Sequence, residues 1–255
     1  MIELKNEREL AVMREAGRVV ARVLRAVRER AAVGTSLLEL DELAASMLDD
    51  AGAKSSFLDY HPNWAPQPYP GVLCTSVNDA IVHGVPTGYR LRDGDLLSVD
   101  FGAAVDGWHG DAAISLVVGA ADPADRTLIA TAERALAAGI AQAKPGNRLG
   151  DIGHAIGVIG RGAGYGLTAD HGGHGVGRAM HEEPHVPNEA PPGTGLRLRP
   201  GMVFAIEPMF TAGGGDDYRY GDDGWTILTT DGSRAAHVEH TVAITDDGPR
   251  VLTAL

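Results

Sequence analysis

The chain has 255 residues, 44% of them hydrophobic, which is enough to build a sizeable core in one large domain or two small ones. Its formal net charge of −12 argues against a general binding surface for nucleic acids or acidic membranes. Its single cysteine, Cys74, excludes an internal disulfide framework and fits a reducing compartment. Residues 1–10 lack the apolar stretch of a signal peptide and no run reaches transmembrane length, so we expect a cytoplasmic protein.

Two helices are predicted at the start of the chain. The first runs from about Asn6 to Ala32, because apolar residues recur there at helical intervals. The second begins after Ser36, which forms a capping-box pattern with Glu39, and Gly52 is placed to end it.

A loop with four prolines and three aromatic residues follows over residues 60–71. It is too broken to be a helix or a strand. The sequence leaves two interpretations open: the loop lines a pocket with its aromatic side chains, or it simply crosses the surface.

The rest of the chain alternates between short β-like runs and two helical segments. The predicted strands lie at 72–77, 96–103, 112–118, 202–206, 226–229 and 237–245, and the predicted helices at 123–143 and 149–162. The first three strands indicate an antiparallel meander, so we expect an α+β fold rather than a doubly wound parallel sheet. No change in composition marks a linker, and we expect one domain over residues 1–255, with the helices of residues 1–52 packing on it.

Four carboxylates and one histidine recur along the chain, each on a short strand-like or glycine-rich segment. These candidate metal ligands are Asp100, Asp111, His174, Glu207 and Glu239. Four acids and a neutral imidazole would balance the charge of two divalent ions, and hard oxygen donors with a single nitrogen suit Mn, Fe, Co or Zn. Two such ions indicate hydrolysis.

The Asp100 and Asp111 pair is the best-defined part of this set. A hairpin turn signal over residues 105–107 lies between them, so the two carboxylates are expected almost opposite one another. Directly opposed Cβ atoms are about 4.5 to 5.5 Å apart, and two unpaired carboxylates that close would repel unless a cation lies between them. The alternative is a solvent-facing hairpin with two ordinary aspartates, which the apolar neighbours Val99 and Phe101 disfavour.

The other three candidates are individually weaker. His174 lies among glycines, which allow the backbone to approach a ligand closely. A nucleotide-binding loop is the competing interpretation, but no convincing strand precedes it and no Walker lysine follows. Glu207 ends an apolar run and must be paired, protonated or metal-bound. Strand alternation places Glu239 with His237 and Thr241 on one face.

One pattern is misleading. Residues 181–185 match the H-E-x-x-H zinc-protease motif, which requires both histidines on one face of a helix. Pro184 prevents that geometry, because proline disfavours the helical conformation before it and breaks the helix hydrogen bonding.

Taken together, seven motifs resemble type I methionine aminopeptidases over nearly the whole chain. They are Ile81-Val82-His83-Gly84-Val85-Pro86, Ser98-Val99-Asp100-Phe101-Gly102, Gly107-Trp108-His109-Gly110-Asp111, Gly173-His174-Gly175-Val176-Gly177, Met180-His181-Glu182-Glu183-Pro184, Ile206-Glu207-Pro208 and Val238-Glu239-His240-Thr241. The resemblance implies the pita-bread α+β fold, a pseudo-two-fold central antiparallel sheet flanked by helices. It also implies removal of the initiator methionine, with two divalent ions, from new proteins whose second residue is small. We further expect a monomer that meets nascent amino termini at the ribosome.

The resemblance also implies a role for each ligand. Asp100 would chelate one ion, Asp111 and Glu239 would bridge both, and His174 with Glu207 would complete the shell of the other. Glu207 would handle the proton of the attacking water.

Further residues are implied in substrate binding. His83 and His181 would contact the substrate amide and stabilise the tetrahedral intermediate. The methionine pocket would include Tyr60, His61, Cys74 and Trp225, since a thioether is recognised by contact area and by sulfur–aromatic contacts. Met180 stands where many family members carry an aromatic residue, which alters the expected pocket shape and leaves the metal chemistry unchanged.

Three alternatives accompany this interpretation. A type II enzyme would carry an insertion between His181 and Glu207, which this chain lacks, and the short amino terminus resembles the bacterial form. A proline-directed peptidase of the aminopeptidase P or prolidase kind is the second candidate, although those enzymes usually carry an additional amino-terminal domain. A silent peptide-binding member of the fold would be expected to lose ligands, and all five are present.

Overall fold

A computed structural model describes residues 2–255; Met1, the first residue of the predicted domain, lies outside the described residues. The four predicted helices are all present, with bounds within two residues of those expected. They are α1 (Glu7–Arg30), α2 (Leu37–Asp50), α3 (Pro123–Gln142) and α4 (Leu149–Gly162). No helix in residues 2–255 combines the length and apolar character needed to cross a membrane.

Side-chain caps fix where the first two helices begin. The Asn6 side chain accepts hydrogen bonds from the backbone of Arg8 and Glu9, and the Glu9 side chain accepts one from the Asn6 backbone. The Ser36 side chain accepts from the Glu39 backbone, as predicted. These bonds satisfy amide groups that have no partner inside the helix.

The strands are short except for one long hairpin, β4 and β5. In chain order they are β1 (Lys54–Ser55), β2 (Cys74–Val77), β3 (Ala80–Val82), β4 (Leu96–Val105), β5 (Trp108–Val117), β6 (Gly166–Leu167), β7 (Gly172–Gly175), β8 (Glu182–Pro187), β9 (Val203–Ile206), β10 (Met209–Thr211), β11 (Tyr218–Tyr220), β12 (Ile227–Thr229), β13 (Ala235–His237), β14 (His240–Thr245) and β15 (Gly248–Val251). The six predicted strands match members of this set, whereas most of the additional strands have two to four residues and too little pattern to be predicted.

Every strand pairing within the described residues is antiparallel. The strands form sheets of order β1-β4-β2, with β5 on β4, and β15-β14-β9-β7-β8, together with two three-stranded sheets, β13-β10-β6 and β11-β12-β3. The expected α+β class with antiparallel sheets is confirmed.

The predicted strand over residues 237–245 is interrupted. β13 ends at His237 and β14 begins at His240, and the two strands belong to different sheets. Glu239 therefore lies at the break rather than inside a strand. Its backbone instead pairs with Ala113 of β5, donating at 2.9 Å. Alternation in the sequence could not reveal this change of sheet, because both short strands continue the same pattern.

Two main cores lie on opposite parts of the fold. One packs α1 and α2 against β4 and β5 through residues such as Val20, Leu40 and Phe101. The other packs α3 and α4 against β9 and β14 through residues such as Ile152 and Phe204. Each half thus joins a helix pair to a sheet, and both halves contribute to the site described below.

Gly17 gives a test of how tightly α1 is seated. A Cβ atom on Gly17 would lie 2.1 Å from the carbonyl oxygen of Leu252, far inside contact distance. We expect Gly17→Ala to lower the free energy of unfolding by about 1–3 kcal/mol, because backbone must move to admit the methyl group. Urea unfolding followed by circular dichroism measures this change.

Gly162→Ala on α4 is the matched control. Nothing lies within 4 Å of a Cβ atom at Gly162, so the substitution should be neutral or should stabilise the protein by up to about 1 kcal/mol. Equal effects of the two substitutions would show that α1 is not held against the Leu252 backbone.

Candidate active site

A cavity of about 560 Å³ is lined by residues from both halves of the fold. All five predicted metal ligands, Asp100, Asp111, His174, Glu207 and Glu239, line this cavity. The predicted substrate residues that also line it are Tyr60, Cys74, His83, His181 and Trp225. The structure thus brings ten of the eleven predicted site residues to one place.

His61 is the exception. It does not line the cavity, and its Nε2 atom lies 3.2 Å from the carbonyl oxygen of Ala65 in the same loop. The loop turns back on itself here, with the Ala65 amide donating to Pro62, and this turn gives the imidazole a local partner. The contribution of His61 to the substrate pocket stays a prediction.

Each predicted ligand is carried by a different element. Asp100 lies on β4, Asp111 on β5 and His174 on β7, while Glu207 directly follows β9 and Glu239 lies between β13 and β14. The glycine-rich segment of His174 is itself a strand, since residues of β7 pair with both β8 and β9. A glycine-rich strand fits here because a side chain at Gly173 would collide with the Ala205 carbonyl at 2.0 Å.

The two aspartates of the β4–β5 hairpin are not directly opposed, contrary to the prediction. Asp100 pairs with Ala113, and Asp111 pairs with Gly102, because the two turn residues are 106–107 and the turn is centred one residue later than expected. A displacement of two residues keeps both carboxylates on the same face of the hairpin. Gly102 places no side chain between them, so the carboxylates still share one site.

The His174 ring points its Nε2 atom toward the carboxylates of Asp111 and Glu207. Its Nδ1 atom lies 2.9 Å from the carbonyl oxygen of Gly175 and donates to it, which leaves the lone pair on Nε2. Nε2 lies 3.7 Å from Asp111 Oδ2 and 3.6 Å from Glu207 Oε1. Burial lowers the pKa of His174 to about 3, so the ring is neutral and able to act as a ligand.

The backbones of the ligands are held by hydrogen bonds outside the site. The Thr241 hydroxyl donates to the Asp111 carbonyl at 2.7 Å and accepts from the Asp111 amide at 2.9 Å. The Asn188 side chain donates to the Glu207 carbonyl at 2.9 Å. These bonds fix the position of the ligands without using the carboxylate oxygens.

The donor atoms fall into two groups that share one residue. Asp111, His174 and Glu239 form one group, and Glu207, His237 and Glu239 form the other, with the donor atoms of each group within 4.8 Å of one another. Glu239 is common to both groups. Its carboxylate could therefore serve both groups.

The residues present fit divalent metal ions. Asp100 Oδ1, Asp111 Oδ1 and Glu239 Oε1 are buried and have no hydrogen-bond partner. Buried oxygen atoms of this kind are costly unless a cation or a proton neutralises them. No lysine or arginine lines the cavity.

The pKa values of the acids reflect the same cost of burying carboxylates without a cation. Burial raises the pKa of Asp111 to about 7. Burial, reinforced by the charge of neighbouring carboxylates, raises the pKa of Asp100, Glu207 and Glu239 well above their usual range. Without cations, the site therefore favours protonated acids at neutral pH.

Two histidines flank the ligands. His83 is held with a positive φ of 58°, and its buried Nδ1 atom has no hydrogen-bond partner. The His181 ring lies 4.3 Å from the His174 ring and 5.2 Å from the Tyr60 ring, measured between centroids. Burial lowers the pKa of His83 to about 3, so its ring is neutral at pH 7. His181 is exposed at the edge of the site, and partial loss of its hydration lowers its pKa to about 4.

One end of the cavity is apolar. Phe57, Tyr69, Cys74, Met180 and Trp225 form a buried cluster there. Burial raises the pKa of the Cys74 thiol well above its usual range, so this residue is a neutral, weakly polar wall rather than a nucleophile. The cluster would accept an apolar side chain.

The proline-rich loop lines the cavity with its aromatic side chains, as the first of its two interpretations predicted. Trp64, half exposed, stacks over His83 at 6.2 Å and contacts Trp225 edge-on at 5.0 Å. The loop is anchored by the Trp225 Nε1 atom, which donates to the Gln67 carbonyl at 3.0 Å. Trp64 and Tyr69 were not predicted as site residues, although their clustering between prolines was the available signal.

The rejected zinc-protease motif lies on a strand, as the proline indicated. Residues 182–187 form β8, and His181 immediately precedes it. His185 pairs across the strands with His174. The two histidines of the motif therefore do not share a helix face.

Comparisons with known proteins agree with this geometry. The family model of metallopeptidase family M24 matches residues 11–246. The chain belongs to this family. It is 50% identical to methionine aminopeptidase 1 of Mycobacterium tuberculosis, with 99% of this chain and 95% of that protein aligned. It is 42% identical to methionine aminopeptidase 1 of Bacillus subtilis, with 99% of each chain aligned.

Solved structures show the same relationship. The crystal structure of methionine aminopeptidase from Thermotoga maritima superposes with a TM-score of 0.95 at 39% identity, covering 100% of both chains. A prolidase from Pyrococcus furiosus shares the fold alone, with a TM-score of 0.77 at 23% identity over 99% of this chain and 65% of that one. The resemblance to methionine aminopeptidases and the pita-bread fold are confirmed.

The raised pKa values predict how stability depends on pH and metal. The unfolded chain loses the carboxyl protons near pH 4, whereas the folded, metal-free site retains them to a higher pH, about 7 for Asp111. Between these values the folded state binds more protons, so metal-free stability falls as the pH rises. Divalent ions should offset this loss, and the melting temperature gained on adding Mn²⁺ should be larger at pH 8 than at pH 5.

Differential scanning fluorimetry of chelator-treated and Mn²⁺-loaded protein measures this gain. Asp111→Asn is the comparison, because it removes one of the titrating acids and should reduce the difference between the two pH values. A gain that is the same at both pH values, or larger at pH 5, would contradict the electrostatic description of the site.

Proposed function

We propose that the chain is a metalloaminopeptidase that removes the initiator methionine from nascent polypeptides whose second residue is small. One observation carries the proposal: a cluster of buried carboxylates and imidazole, in two groups that share Glu239, lies beside an apolar pocket in a single cavity. Identity of 50% to a methionine aminopeptidase along nearly the full chain supports the same activity. We place it in the cytoplasm as a monomeric single-domain enzyme that meets new amino termini at the ribosome.

We assign five residues to two divalent ions of the Mn, Fe, Co or Zn kind. Asp100 would chelate one ion, Asp111 and Glu239 would bridge both, and His174 with Glu207 would complete the other shell. The unpartnered oxygens of Asp100, Asp111 and Glu239 are the atoms that need such cations. When bound, the ions would polarise the scissile carbonyl and lower the pKa of the attacking water.

Glu207 is the residue assigned to move the proton. In the metal-free site burial raises the pKa of Glu207, and its carboxylate faces the cavity where it could accept a proton from water. His237 Nε2 lies 3.2 Å from its Oε2 atom and His174 Nε2 lies 3.6 Å from its Oε1 atom, so the carboxylate is confined between two imidazoles. It would take the proton of the attacking water and deliver it to the leaving amine.

His83 and His181 are assigned to the peptide itself. Both rings are neutral at pH 7, and each can therefore donate one N–H to a substrate carbonyl or to the developing oxyanion while its other nitrogen accepts. The Nδ1 atom of His83 is buried without a partner, so a substrate group would satisfy it.

The apolar end of the cavity is assigned to the methionine side chain. Cys74, Met180 and Trp225 are all buried there, and Tyr60 packs against them. A thioether gains contact area and sulfur–aromatic contacts in such a pocket. Met180 supplies a flexible wall, which would tolerate unbranched side chains of similar length better than a rigid ring would.

Asp111→Asn tests the ligand assignment. The amide cannot bridge two cations as a carboxylate does, so we expect kcat/KM for Met-Ala-Ser to fall at least about a hundredfold with metal supplied. Asp106→Asn is the matched control, since this residue lies in the turn of the same hairpin and its side chain is outside the cavity. Near-normal kinetics of Asp111→Asn would remove the bridging role.

A peptide panel tests the reaction. We expect metal-loaded protein to release methionine from Met-Ala-Ser, to cleave Xaa-Pro peptides at least about a hundredfold more slowly, and to lose activity with a chelator. Mass spectrometry of the released amino acid measures each rate. Activity that persists with the chelator would overturn the metal mechanism, and preference for Xaa-Pro peptides would indicate a prolidase-like enzyme.

A further inference from the structure

His237 does not line the cavity, but it lies beside two residues that do, Glu207 and Glu239, and it has no assigned role. His237 is 1% exposed to solvent, and its Nε2 atom is buried without a hydrogen-bond partner. This atom lies 3.2 Å from Glu207 Oε2, but the two groups are not aligned for a hydrogen bond. The ring lies at the end of β13, where the backbone amide of His237 donates to the Ser115 hydroxyl at 3.1 Å.

The distance between the two atoms fits neighbouring ligands of one ion. Metal–nitrogen and metal–oxygen bonds of about 2.0–2.2 Å place adjacent donors of a tetrahedral or octahedral ion about 3 Å apart. Nε2 of His237 and Oε2 of Glu207 have this spacing, and an oxygen of Glu239 lies within 4.8 Å of both. Three donors from two chain segments, Glu207 on one and His237 with Glu239 on the other, thus lie within 4.8 Å of one another.

We propose that His237 is an additional metal ligand, a second imidazole donor that acts together with Glu207 and Glu239. The inference rests on the metal site of the proposed function and extends its ligand set from five residues to six. A second nitrogen donor shifts the preference of the site toward Zn²⁺, Co²⁺ and Fe²⁺, and away from Mg²⁺ and Ca²⁺, which favour oxygen alone.

The competing role is a hydrogen bond. If Nε2 carries a proton in the metal-loaded protein, His237 would donate to Glu207 and only position that carboxylate. The two roles differ in whether the imidazole nitrogen is bonded to the ion, which X-ray absorption at the zinc edge measures directly, because imidazole rings give a characteristic multiple-scattering signal.

The experiment uses full-length protein freed of metal with a chelator and reloaded to two Zn²⁺ per chain. With both His174 and His237 as ligands, the spectrum should contain about one imidazole per zinc, and with His174 alone about half of one. The wild-type count decides between these outcomes without any substitution. A count near one half would overturn the proposal.

Variants give the second measurement. His237→Gln should lower the imidazole count by about half and weaken Zn²⁺ binding at one site at least about tenfold, as measured by calorimetric titration. His240→Gln is the matched control, because the Nδ1 atom of this neighbouring histidine lies 2.9 Å from the Thr253 hydroxyl and His240 is absent from the donor groups. An unchanged count and affinity in His237→Gln, with folding verified by circular dichroism, would overturn the ligand role.

Failure of the proposed peptidase function can be distinguished from failure of the His237 ligand role. If zinc or cobalt loading of the wild type gives no release of methionine while the imidazole count is near one, the metal ligand stands and the peptidase assignment falls. If methionine is released and the count is near one half, the reverse holds.

Discussion

The burial of four neighbouring carboxyl groups, reinforced by repulsion between their charged forms, is the constraint on which the rest of this structure depends. Asp111, Glu207 and Glu239 are nearly inaccessible to solvent, and three oxygen atoms of the cluster have no hydrogen-bond partner. No cationic side chain lines the cavity to compensate them. Packing elsewhere must therefore supply the stability that the metal-free site removes, and the raised pKa values of these acids measure how unfavourable the arrangement is without cations.

The ligands lie on separate chain segments, and hydrogen bonds to their backbone hold them in place. These bonds leave the carboxylate oxygens free. Thr241 binds the Asp111 backbone through two hydrogen bonds, and Asn188 binds that of Glu207. The elements themselves are anchored in two separate hydrophobic cores, each built from a pair of helices and a sheet. The cavity combines these ligands with an apolar end that includes Met180.

Local features such as helix bounds could be predicted from the sequence itself. Contacts between distant segments could be predicted only through the resemblance to a known family. Helix bounds follow from caps such as Asn6 and Ser36, which act within one turn. The meeting of ligands from five elements is not encoded in any local pattern, so the joint occurrence of motifs was needed to predict it. The hairpin turn is centred one residue later than predicted because residues 106–107 form it. The role of His61 stays a prediction, and its ring has a partner in its own loop. His237 was missed as a site residue, although alternation placed it beside Glu239.

We infer that these buried donors hold divalent ions. Anomalous diffraction from crystals of the full chain soaked with Mn²⁺ tests it most directly, because the signal locates the ions without reference to activity. We expect two peaks inside the cavity, both within bonding distance of Glu239 and flanked by Asp100, Asp111, His174 and Glu207. The absence of peaks in the cavity at saturating Mn²⁺, or peaks only on the acidic outer surface, would contradict it.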